Sequence, residues 1–306
     1  MLRYIARRVG QTVIVLFVVS VLSFMLIRIA PGDPARLMLP ETATEEAIAE
    51  MAVTLGLDRP LVVQYFMYIS GVLQGDFGMS TGYRQPVGRI IWARLPFTLM
   101  LAIGTVIVGC LLSIPLGIIA GSNRGKPIDF FAVLFALLGQ SMAPVWLGVL
   151  NIYIFAVILG WLPAIGTGGI RYLILPVLTL GYPMAAGITR VARSGMIDTL
   201  NEDYITATHA KGIHKFVVNW KYAFKNAMIP VVTLVGIMLG IYLAGSVVVE
   251  TIFSWSGIGQ LLFQSVMNRD YAMVQSLLLI SAFIFTFINL IVDIINSLID
   301  PRISLH

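Results

Sequence analysis

The chain has 306 residues, of which 58% are hydrophobic and only 11% are charged. Ordinary soluble domains carry about 25% charged residues, so this composition excludes a soluble globular protein and indicates a chain that crosses a membrane several times. The formal net charge of +5 is explained by orientation in the bilayer and gives no reason to expect a nucleic-acid partner. The single cysteine, Cys110, excludes an intramolecular disulfide and a cysteine-based metal cluster.

Six intervals of the sequence lack Asp, Glu, Lys and Arg for at least 18 residues, and about 20 apolar residues span the core of a bilayer. Their continuous apolar character differs from the alternating pattern of barrel strands, so we predict an all-α membrane protein with six transmembrane helices. The third interval is interrupted in its second half by Trp161–Pro163 and Gly166–Gly169, which indicates one helix and an outer loop. The intervals are Val9–Ile27, Leu95–Asn123, Phe130–Ile170, Tyr172–Thr189, Asn226–Val249 and Tyr271–Val292.

The first apolar run follows a basic N-terminus and reaches Ile27 without a small-residue cleavage site, so we predict an uncleaved first helix and not a signal peptide. If the N-terminus lies inside, most basic residues beyond the long segment 31–94 lie inside as well, and the two short outer loops carry only Arg171 and Arg269. Basic residues favour the cytoplasmic side. We therefore predict that the N-terminus and the C-terminus are both cytoplasmic.

The long segment after helix 1, residues 31–95, is predicted to be a small helical extracytoplasmic insertion. Thr44 or Thr42 is the expected N-cap of its first helix, with acidic residues in the following turn. Leu61–Leu73 is a second amphipathic candidate. A solubilising loop and a substrate-handling cap are both compatible with this pattern.

Helix 3 contains a polar, small-residue break at Gly139–Pro144. Broken helices are tolerated within a membrane where protein or a water-filled cavity surrounds them. Gln140, Ser141 and Pro144 are therefore candidates for a translocation pathway, although rigid packing of helices favours a similar composition.

A polar stretch, Asn201–Pro230, contains four of the five lysines of the chain. Within it we predict a short helix, Tyr204–Lys211, with Asp203 as its N-cap and Gly212 as its C-terminal stop. Isolated helices of this length are marginal in water, so this one needs a partner surface. A second segment, Phe216–Asn226, follows it.

The second segment has its lysines and its aromatic residues on different predicted helix faces. Two explanations of the polar stretch remain open: docking by another protein, and attraction of a surface helix to anionic lipid headgroups. The lysines are Lys221 and Lys225, and the aromatic residues are Phe216, Trp220 and Phe224.

Residues 202–212 resemble the cytoplasmic loop of bacterial ABC-importer permeases, whose dipeptide, oligopeptide and nickel branch typically reads EDYxxTARAKG. The leading Glu of the general EAA motif is absent, and the chain departs from the branch pattern chiefly at Thr208 and His209. Further stretches similar to this branch occur in matching order along the whole chain. They are Pro31–Pro34, Leu55–Asp58, Gly75–Gly78, Lys225–Thr233, Glu250–Gly259 and Asp300–Arg302.

The resemblance implies a permease subunit with an N-terminus and helix 1 (1–30), the insertion (31–95) and a core permease domain (96–306) that contains a coupling loop (193–227). In this family the loop forms a coupling helix that sits in a groove of the ATPase subunit and transmits nucleotide-driven closure to the pore. The residues that take this docking role by resemblance and position are Glu202, Asp203, Tyr204, Ala207, His209, Ala210, Lys211 and Gly212.

The resemblance also makes the short outer element after helix 5 part of an outer gate that lies near the binding protein. Intramembrane acids are functional candidates by default, but Glu250 and Asp293 lie near the interfaces, where a hydrogen-bonded structural role is also expected. The gate residues are Glu250, Trp255, Gly257 and Gly259.

The implied partners are a homologous second permease subunit, two ABC ATPase subunits, an extracytoplasmic substrate-binding protein and the lipid of the bacterial inner membrane. We expect no enzyme activity and no cofactor on this chain, with ATP and Mg²⁺ bound by the partner subunits, because the P-loop pattern is absent. No spacing of His, Cys and acids suits a metal site. The leading function is peptide import; a nickel importer shares nearly every motif, and a proton-coupled transporter would need acids near mid-membrane.

Overall fold

The computed structural model describes residues 2–29, 36, 44–54, 56 and 58–299. Throughout that part the regular structure is helical, with one isolated β-bridge between Met79 and Pro86. α6 and α9 include π-helical turns, at Ile152–Ile158 and Val218–Ala223. The helices are α1 (Leu2–Ile29), α2 (Glu45–Thr54), α3 (Leu61–Leu73), α4 (Val87–Ser122), α5 (Pro127–Ser141), α6 (Pro144–Ile158), α7 (Ile170–Leu200), α8 (Asp203–Ala210), α9 (Lys215–Ala227), α10 (Ile229–Leu243), α11 (Val247–Ile252), α12 (Ile258–Met267) and α13 (Tyr271–Ile299).

Four of these helices, α1, α4, α7 and α13, are each long and apolar enough to cross a membrane. Two bent pairs have the same property when each is taken as one span: α5 with α6, bent by 101°, and α9 with α10, bent by 54°. The predicted all-α membrane class is therefore confirmed for the described part of the chain, which has four continuous candidate spans, or six if each bent pair is counted as one span.

The start of the second span is predicted wrongly. α4 begins at Val87 and has Pro96 inside it, whereas the sequence placed the start of this helix near Pro96. Arg89 and Arg94 end the charge-free interval, but they do not end the helix, because a helix can continue past the hydrocarbon core into the polar region. The loss of one backbone donor at Pro96 is tolerated within a 36-residue helix.

α7 is the central helix of the bundle. Of its most apolar stretch 61% is buried, against 28% or less for the other continuous spans. It packs most extensively against α4, where a Cβ on Gly117 or Gly121 would lie 2.5 Å from the Cβ of Ala192 or Met196. Small residues permit such close approach of helices in lipid, where packing replaces the hydrophobic effect as the driving force.

α13 packs against α1 and α10 on another side of the bundle. Arg8 Nη1 lies 3.1 Å from Asp293 Oδ2, so the two ends of the chain are joined by an ion pair that connects α1 with α13. Gly236 of α10 faces Val292 of α13 so closely that a side chain on the glycine would overlap the valine. Asp293 therefore takes part in an ion pair between two spans in this structure.

The segment between α1 and α4 folds as two short helices, α2 and α3. The amide of Ala47 donates to Thr44 Oγ1 at 3.3 Å, so Thr44 is the N-cap of α2. Thr42, the motif Pro31–Pro34 and the motif Asp300–Arg302 lie outside the described residues, as do two positions of the Leu55–Asp58 motif.

α3 docks on α1 through aromatic contacts. Tyr65 OH lies 2.7 Å from Ser20 Oγ, and the rings of Tyr65 and Phe24 meet edge to face with centroids 5.3 Å apart. The loop that follows α3 is held by Asp270, which accepts hydrogen bonds from Ser80 Oγ and, at 3.2 Å, from the amide of Gly82. The insertion is thereby attached at both ends to the spans α1 and α13.

Candidate functional site

α8 is a helix of eight residues that follows α7 after a two-residue turn. Its N-cap is Glu202, in an extended conformation with φ −72° and ψ 146°, and not Asp203 as predicted. Asp203 instead occupies the first turn, where a negative side chain is favourable near the positive end of the helix dipole. Gly212 adopts φ +74° just after the helix, which confirms it as the C-terminal stop.

The inner face of α8 is held by the permease itself. Ile205 is 1% exposed and packs in one cluster with Met196 of α7 and with Val218 and Ala223 of α9. Thr208 is also buried, and its hydroxyl donates to the carbonyl of Tyr204 at 2.6 Å. This socket explains how a helix too short to persist alone in water is kept in place.

The outer face of α8 carries the predicted docking residues, and each of them is exposed. Thr208, one of the two main departures from the family pattern, faces the permease. A change there cannot alter a contact with a docked subunit directly, whereas His209 lies on the exposed face. The exposed residues are Glu202, Asp203, Tyr204, Ala207, His209, Ala210, Lys211 and Gly212.

α9 connects the socket to span α10. Asn226 Nδ2 donates to Tyr204 OH at 2.8 Å, and a Cβ on Gly195 would lie only 2.7 Å from the carbonyl oxygen of Ala227. α7, α8 and α9 therefore meet in one tight junction. Residue 195 must be glycine there, since any side chain would push the two backbones apart.

The aromatic residues and the lysines of the second segment are predicted to lie on different faces of a helix, and both sets reach the protein surface. Phe216, Trp220, Lys221 and Lys225 are exposed, and Phe224 is half-buried. Val218–Ala223 is π-helical, a conformation with more residues per turn than an α-helix.

An ion pair ties α7 to α5 near this junction. Arg193 donates from Nε to Asp129 Oδ1 at 2.5 Å and from Nη2 to Oδ2 at 2.9 Å. The amide of Gly125 donates to the same carboxylate at 3.0 Å, so the turn between α4 and α5 joins the pair. Bidentate arginine–carboxylate pairs combine strength with fixed geometry, and Asp129 is 5% exposed.

The opposite end of α5 is the break that the sequence predicted. Gln140, Ser141 and Pro144 are exposed at a bend of 101° between α5 and α6. Both arms of the bend are attached to α7: Tyr182 OH donates to the carbonyl of Phe135 at 3.2 Å, and Asn151 Nδ2 to Thr179 Oγ1 at 2.9 Å. The pathway candidates therefore lie between two anchors on the helix that leads into α8.

A second cluster surrounds Glu250 at the opposite end of the bundle from α8. Glu250 is fully buried, and it accepts from Thr98 Oγ1 at 3.0 Å and from the amide of Gln260 at 2.9 Å. Thr98 in turn accepts from the amide of Ile258 at 2.9 Å. Burial raises the pKa of Glu250, and the hydrogen bonds from Gln260 and Thr98 partly counter that effect.

The other predicted gate residues complete this cluster. Trp255 is 2% exposed and donates from Nε1 to the carbonyl of Phe97 at 2.8 Å. Gly257 and Gly259 lie directly against the Glu250 carboxylate, which leaves no room for a side chain at either position. In this conformation the four gate residues hold α11 and α12 to α4, and their side chains are not available to a soluble partner.

The sequence did not predict three contacts that hold these elements together, namely the burial of Ile205, the Arg193–Asp129 pair and the hydrogen bonds from the insertion to Asp270. Ile205 was one apolar residue in a short polar helix. Asp129 and Asp270 were visible in the sequence as acids near helix starts. Their partners, Arg193 and Ser80, lie 64 and 190 residues away in the sequence. Pairing over such separations cannot be read from one sequence.

Comparison with known proteins places the chain among transport proteins. Residues 113–305 match the family model described as binding-protein-dependent transport system inner membrane component, and residues 1–102 match the model of its N-terminal region. The chain is 41% identical over 303 residues to the glutathione transport system permease protein GsiC of Escherichia coli (strain K12). It is 42% identical over 303 residues to that of Salmonella typhimurium. Both alignments cover 99% of each chain.

A solved structure has the same fold. It is the MetNI methionine ABC transporter in an inward-facing conformation, with a TM-score of 0.57, 18% identity and coverage of 69% of this chain and 96% of that one. At this identity the similarity concerns the fold alone.

The Glu250 cluster leads to a stability prediction. Glu250→Ala leaves two buried donors without an acceptor, so it should lower the free energy of unfolding by about 2–4 kcal/mol. Because burial raises the pKa of Glu250 in the folded protein, the folded chain binds this proton more readily than the unfolded chain. The stability of the wild type relative to Glu250→Gln should therefore fall as pH rises above the ordinary range of a glutamate. Thermal unfolding of the full chain in detergent measures both effects.

Glu202→Ala is the matched control, since the exposed Glu202 side chain makes no capping hydrogen bond to α8 and its removal should change stability by no more than about 0.5 kcal/mol. Equal unfolding temperatures for Glu250→Ala and Glu202→Ala would contradict the structural role of Glu250.

Proposed function

This chain belongs to the binding-protein-dependent transport system inner membrane components, and from that premise we propose that it forms part of the translocation pathway of an ATP-driven peptide importer. As a permease subunit of an ABC importer it has no ATPase site of its own, and it lies in the inner membrane. The ATPase subunits and the substrate-binding protein are separate chains. A homologous second permease subunit completes the pathway, and the α8 end of the bundle is cytoplasmic, as its basic residues favour.

The proposed mechanism starts at the exposed face of α8. An ATPase subunit receives this face in a groove, where the small side chains of Ala207 and Ala210 allow close approach. When ATP binding closes the ATPase subunits, α8 moves. Ile205 and the junction with α9 transmit that movement to α7, since they are packed into the same cluster.

α7 then carries the movement to the broken span. Its contacts with α5 and α6 lie on both sides of the bend, through Arg193 at one end of α5 and Thr179 beside α6. A shift of α7 therefore changes the angle or the position of the break at which Gln140 and Ser141 are exposed. This is alternating access driven by an external subunit, and the ion pair is its mechanical link.

A peptide substrate is supported by the near full-length identity of 41% with a glutathione permease, because glutathione is a tripeptide. Small peptides also suit a pathway lined by amide and hydroxyl groups such as those of Gln140 and Ser141, which can replace hydrogen bonds to water. Uptake should therefore be coupled to a binding protein that recognises short peptides.

Reconstituted uptake tests this function. The chain is assembled with its companion permease, ATPase and binding-protein subunits in vesicles, and labelled glutathione, a dipeptide, a longer oligopeptide and Ni²⁺ are offered in turn. We expect ATP-dependent uptake of at least one peptide and none of Ni²⁺. Uptake of Ni²⁺ alone would contradict the peptide assignment, and uptake without nucleotide would contradict the importer mechanism.

The docking face of α8 gives a second prediction. Ala210→Trp places a bulky ring on the exposed face, so it should reduce uptake at least tenfold and weaken binding of the ATPase subunit. Because residue 210 is exposed, the unfolding free energy should change by no more than about 0.5 kcal/mol. Ala210→Ser keeps the small volume and should retain uptake. Normal transport by Ala210→Trp would rule out close approach at this face.

The Arg193–Asp129 link gives a third prediction. Asp129→Arg and Arg193→Asp each leave an unpaired charge, so each should lower stability by about 3–5 kcal/mol. The double exchange should restore most of that loss, as measured by thermal unfolding. Arg193→Lys keeps the charge but loses the bidentate geometry, so it should fold and bind ATPase while transporting fewer substrate molecules per ATP hydrolysed.

The Arg193→Lys variant separates a mechanical role from a purely structural one. Asn123→Ala, in the same turn region but outside the ion pair, is the control and should keep the normal ratio of transport to hydrolysis. An unchanged ratio in Arg193→Lys would show that the ion pair stabilises the fold without transmitting movement.

A further inference from the structure

α9 presents an exposed surface that combines aromatic rings with positive charge. We define the α9 surface by Phe216, Trp220, Phe224, Lys221 and Lys225. Phe216 is 63% exposed and Trp220 is 38% exposed, both lysines are exposed, and Phe224 is half-buried against the α8 cluster. The docking face of α8 does not include these residues, so they need an explanation of their own.

The three rings form a row along the helix, in which Trp220 and Phe224 are stacked and Phe216 is tilted against Trp220. The centroids of Phe216 and Trp220 are 6.0 Å apart with an interplanar angle of 34°, and those of Trp220 and Phe224 are 6.1 Å apart at 28°. An exposed apolar row of rings of this size is unfavourable in water. Its energetic cost is avoided where the rings meet the boundary between headgroups and acyl chains, which is where membrane proteins concentrate Trp.

The orientation of α9 is fixed by its opposite side. Val218 and Ala223 are fully buried and Ala227 is 1% exposed, all in the cluster that also holds Ile205. Rotation of α9 about its axis would expose these residues. The rings and the lysines therefore face whatever surrounds the junction.

The position of α9 places that surface at the membrane boundary. α9 and α10 are long and apolar enough to cross a membrane when they are taken as one bent span, and the end of α9 continues into an apolar helix after a bend of 54°. The sequence from Tyr204 to Val249 contains no acidic residue. Within the described part of the chain neither Lys221 nor Lys225 forms an ion pair, so the positive charge of this surface is not neutralised locally.

We propose that the α9 surface binds the headgroups of anionic phospholipids in the leaflet at the α8 end of the bundle. The phosphate groups contact Lys221 and Lys225, and the row of rings lies beside the first methylene groups of the acyl chains. Lipid bound in this way holds the junction of α7, α8 and α9 at a defined depth in the membrane. An ATPase subunit is the competing occupant, and the experiment distinguishes the two.

Trp220 lies in the proposed site and serves as the probe. The full-length chain is studied in mixed micelles with brominated phosphatidylglycerol or brominated phosphatidylcholine, which quench tryptophan fluorescence on contact. For each protein, the quenching due to Trp220 is obtained by subtracting the quenching measured for the same protein carrying Trp220→Phe. Each basic residue near an anionic surface contributes about a fivefold factor in binding, so phosphatidylglycerol should quench this share at a concentration at least about fivefold lower.

The variants assign that preference to the two lysines. Lys221→Gln with Lys225→Gln should bring the ratio between the two lipids close to one, and Lys221→Arg with Lys225→Arg should keep it. Lys126→Gln, an exposed lysine in another loop, is the control and should leave the ratio unchanged. Equal quenching by the two lipids in the wild type, or an unchanged ratio in the double Gln variant, overturns the proposal.

Assembly with the companion ATPase tests the competing occupant. If the α9 surface belongs to lipid, the double Gln variant assembles normally in phosphatidylcholine and Trp220 remains accessible to brominated lipid in the complex. Loss of assembly together with protection of Trp220 by the ATPase would overturn the proposal. Lipid binding requires only this chain in a membrane, so neither outcome decides whether the importer carries peptides.

Discussion

Burial of one side chain, Ile205, keeps α8 folded on the end of the bundle. Nucleation of an isolated helix is unfavourable by a factor of about a thousand, which corresponds to about 4 kcal/mol. Full burial of an isoleucine contributes about 1.5–3 kcal/mol, and the buried Thr208 hydroxyl bonds within the same helix. Burial of Ile205 therefore offsets a large part of the nucleation cost, and α8 depends on the socket that α7 and α9 provide. Its position is therefore set by α7, which is the condition for transmitting movement in either direction.

The contacts of α7 with α4 and with the broken span suit it to the proposed transmission of movement from α8. Close packing at Gly117 and Gly121 joins α7 to α4 over several turns, so the two helices move together and not by sliding. The broken span is attached to α7 at several points, whereas its helix is interrupted between Ser141 and Pro144. Under the proposed mechanism a shift of α7 would change the geometry at this break, whereas a continuous α5–α6 helix would distribute the same shift along its length.

The sequence alone predicted the class of fold, the six candidate spans and the break in the third span, because each depends on local patterns of apolar, small and charged residues. It also predicted Gly212 as the end of α8, since a left-handed residue after a helix favours glycine. It failed where the outcome depends on distant partners, as in the Arg193–Asp129 pair, and where a helix departs from a simple pattern. The start of α4 at Val87 was missed because arginines were taken as the end of the helix. The π-helical turn at Val218–Ala223 was missed because an α-helical wheel does not reveal it.

The predicted site residues are exposed at one end of the bundle and buried at the other, and this difference limits which helices can separate. At the α8 end the predicted site residues are exposed around one buried anchor. At the other end Glu250 and Trp255 are buried, and both connect α11 and α12 to the start of α4 through Thr98 and Phe97. Separating α11 from α4 would leave the Thr98 hydroxyl and the Trp255 indole without partners, which costs about 1–3 kcal/mol for each group. Movement of α4, α11 and α12 as one block costs none of these bonds. Because α4 packs closely against α7, that block is also connected through α7 to α8.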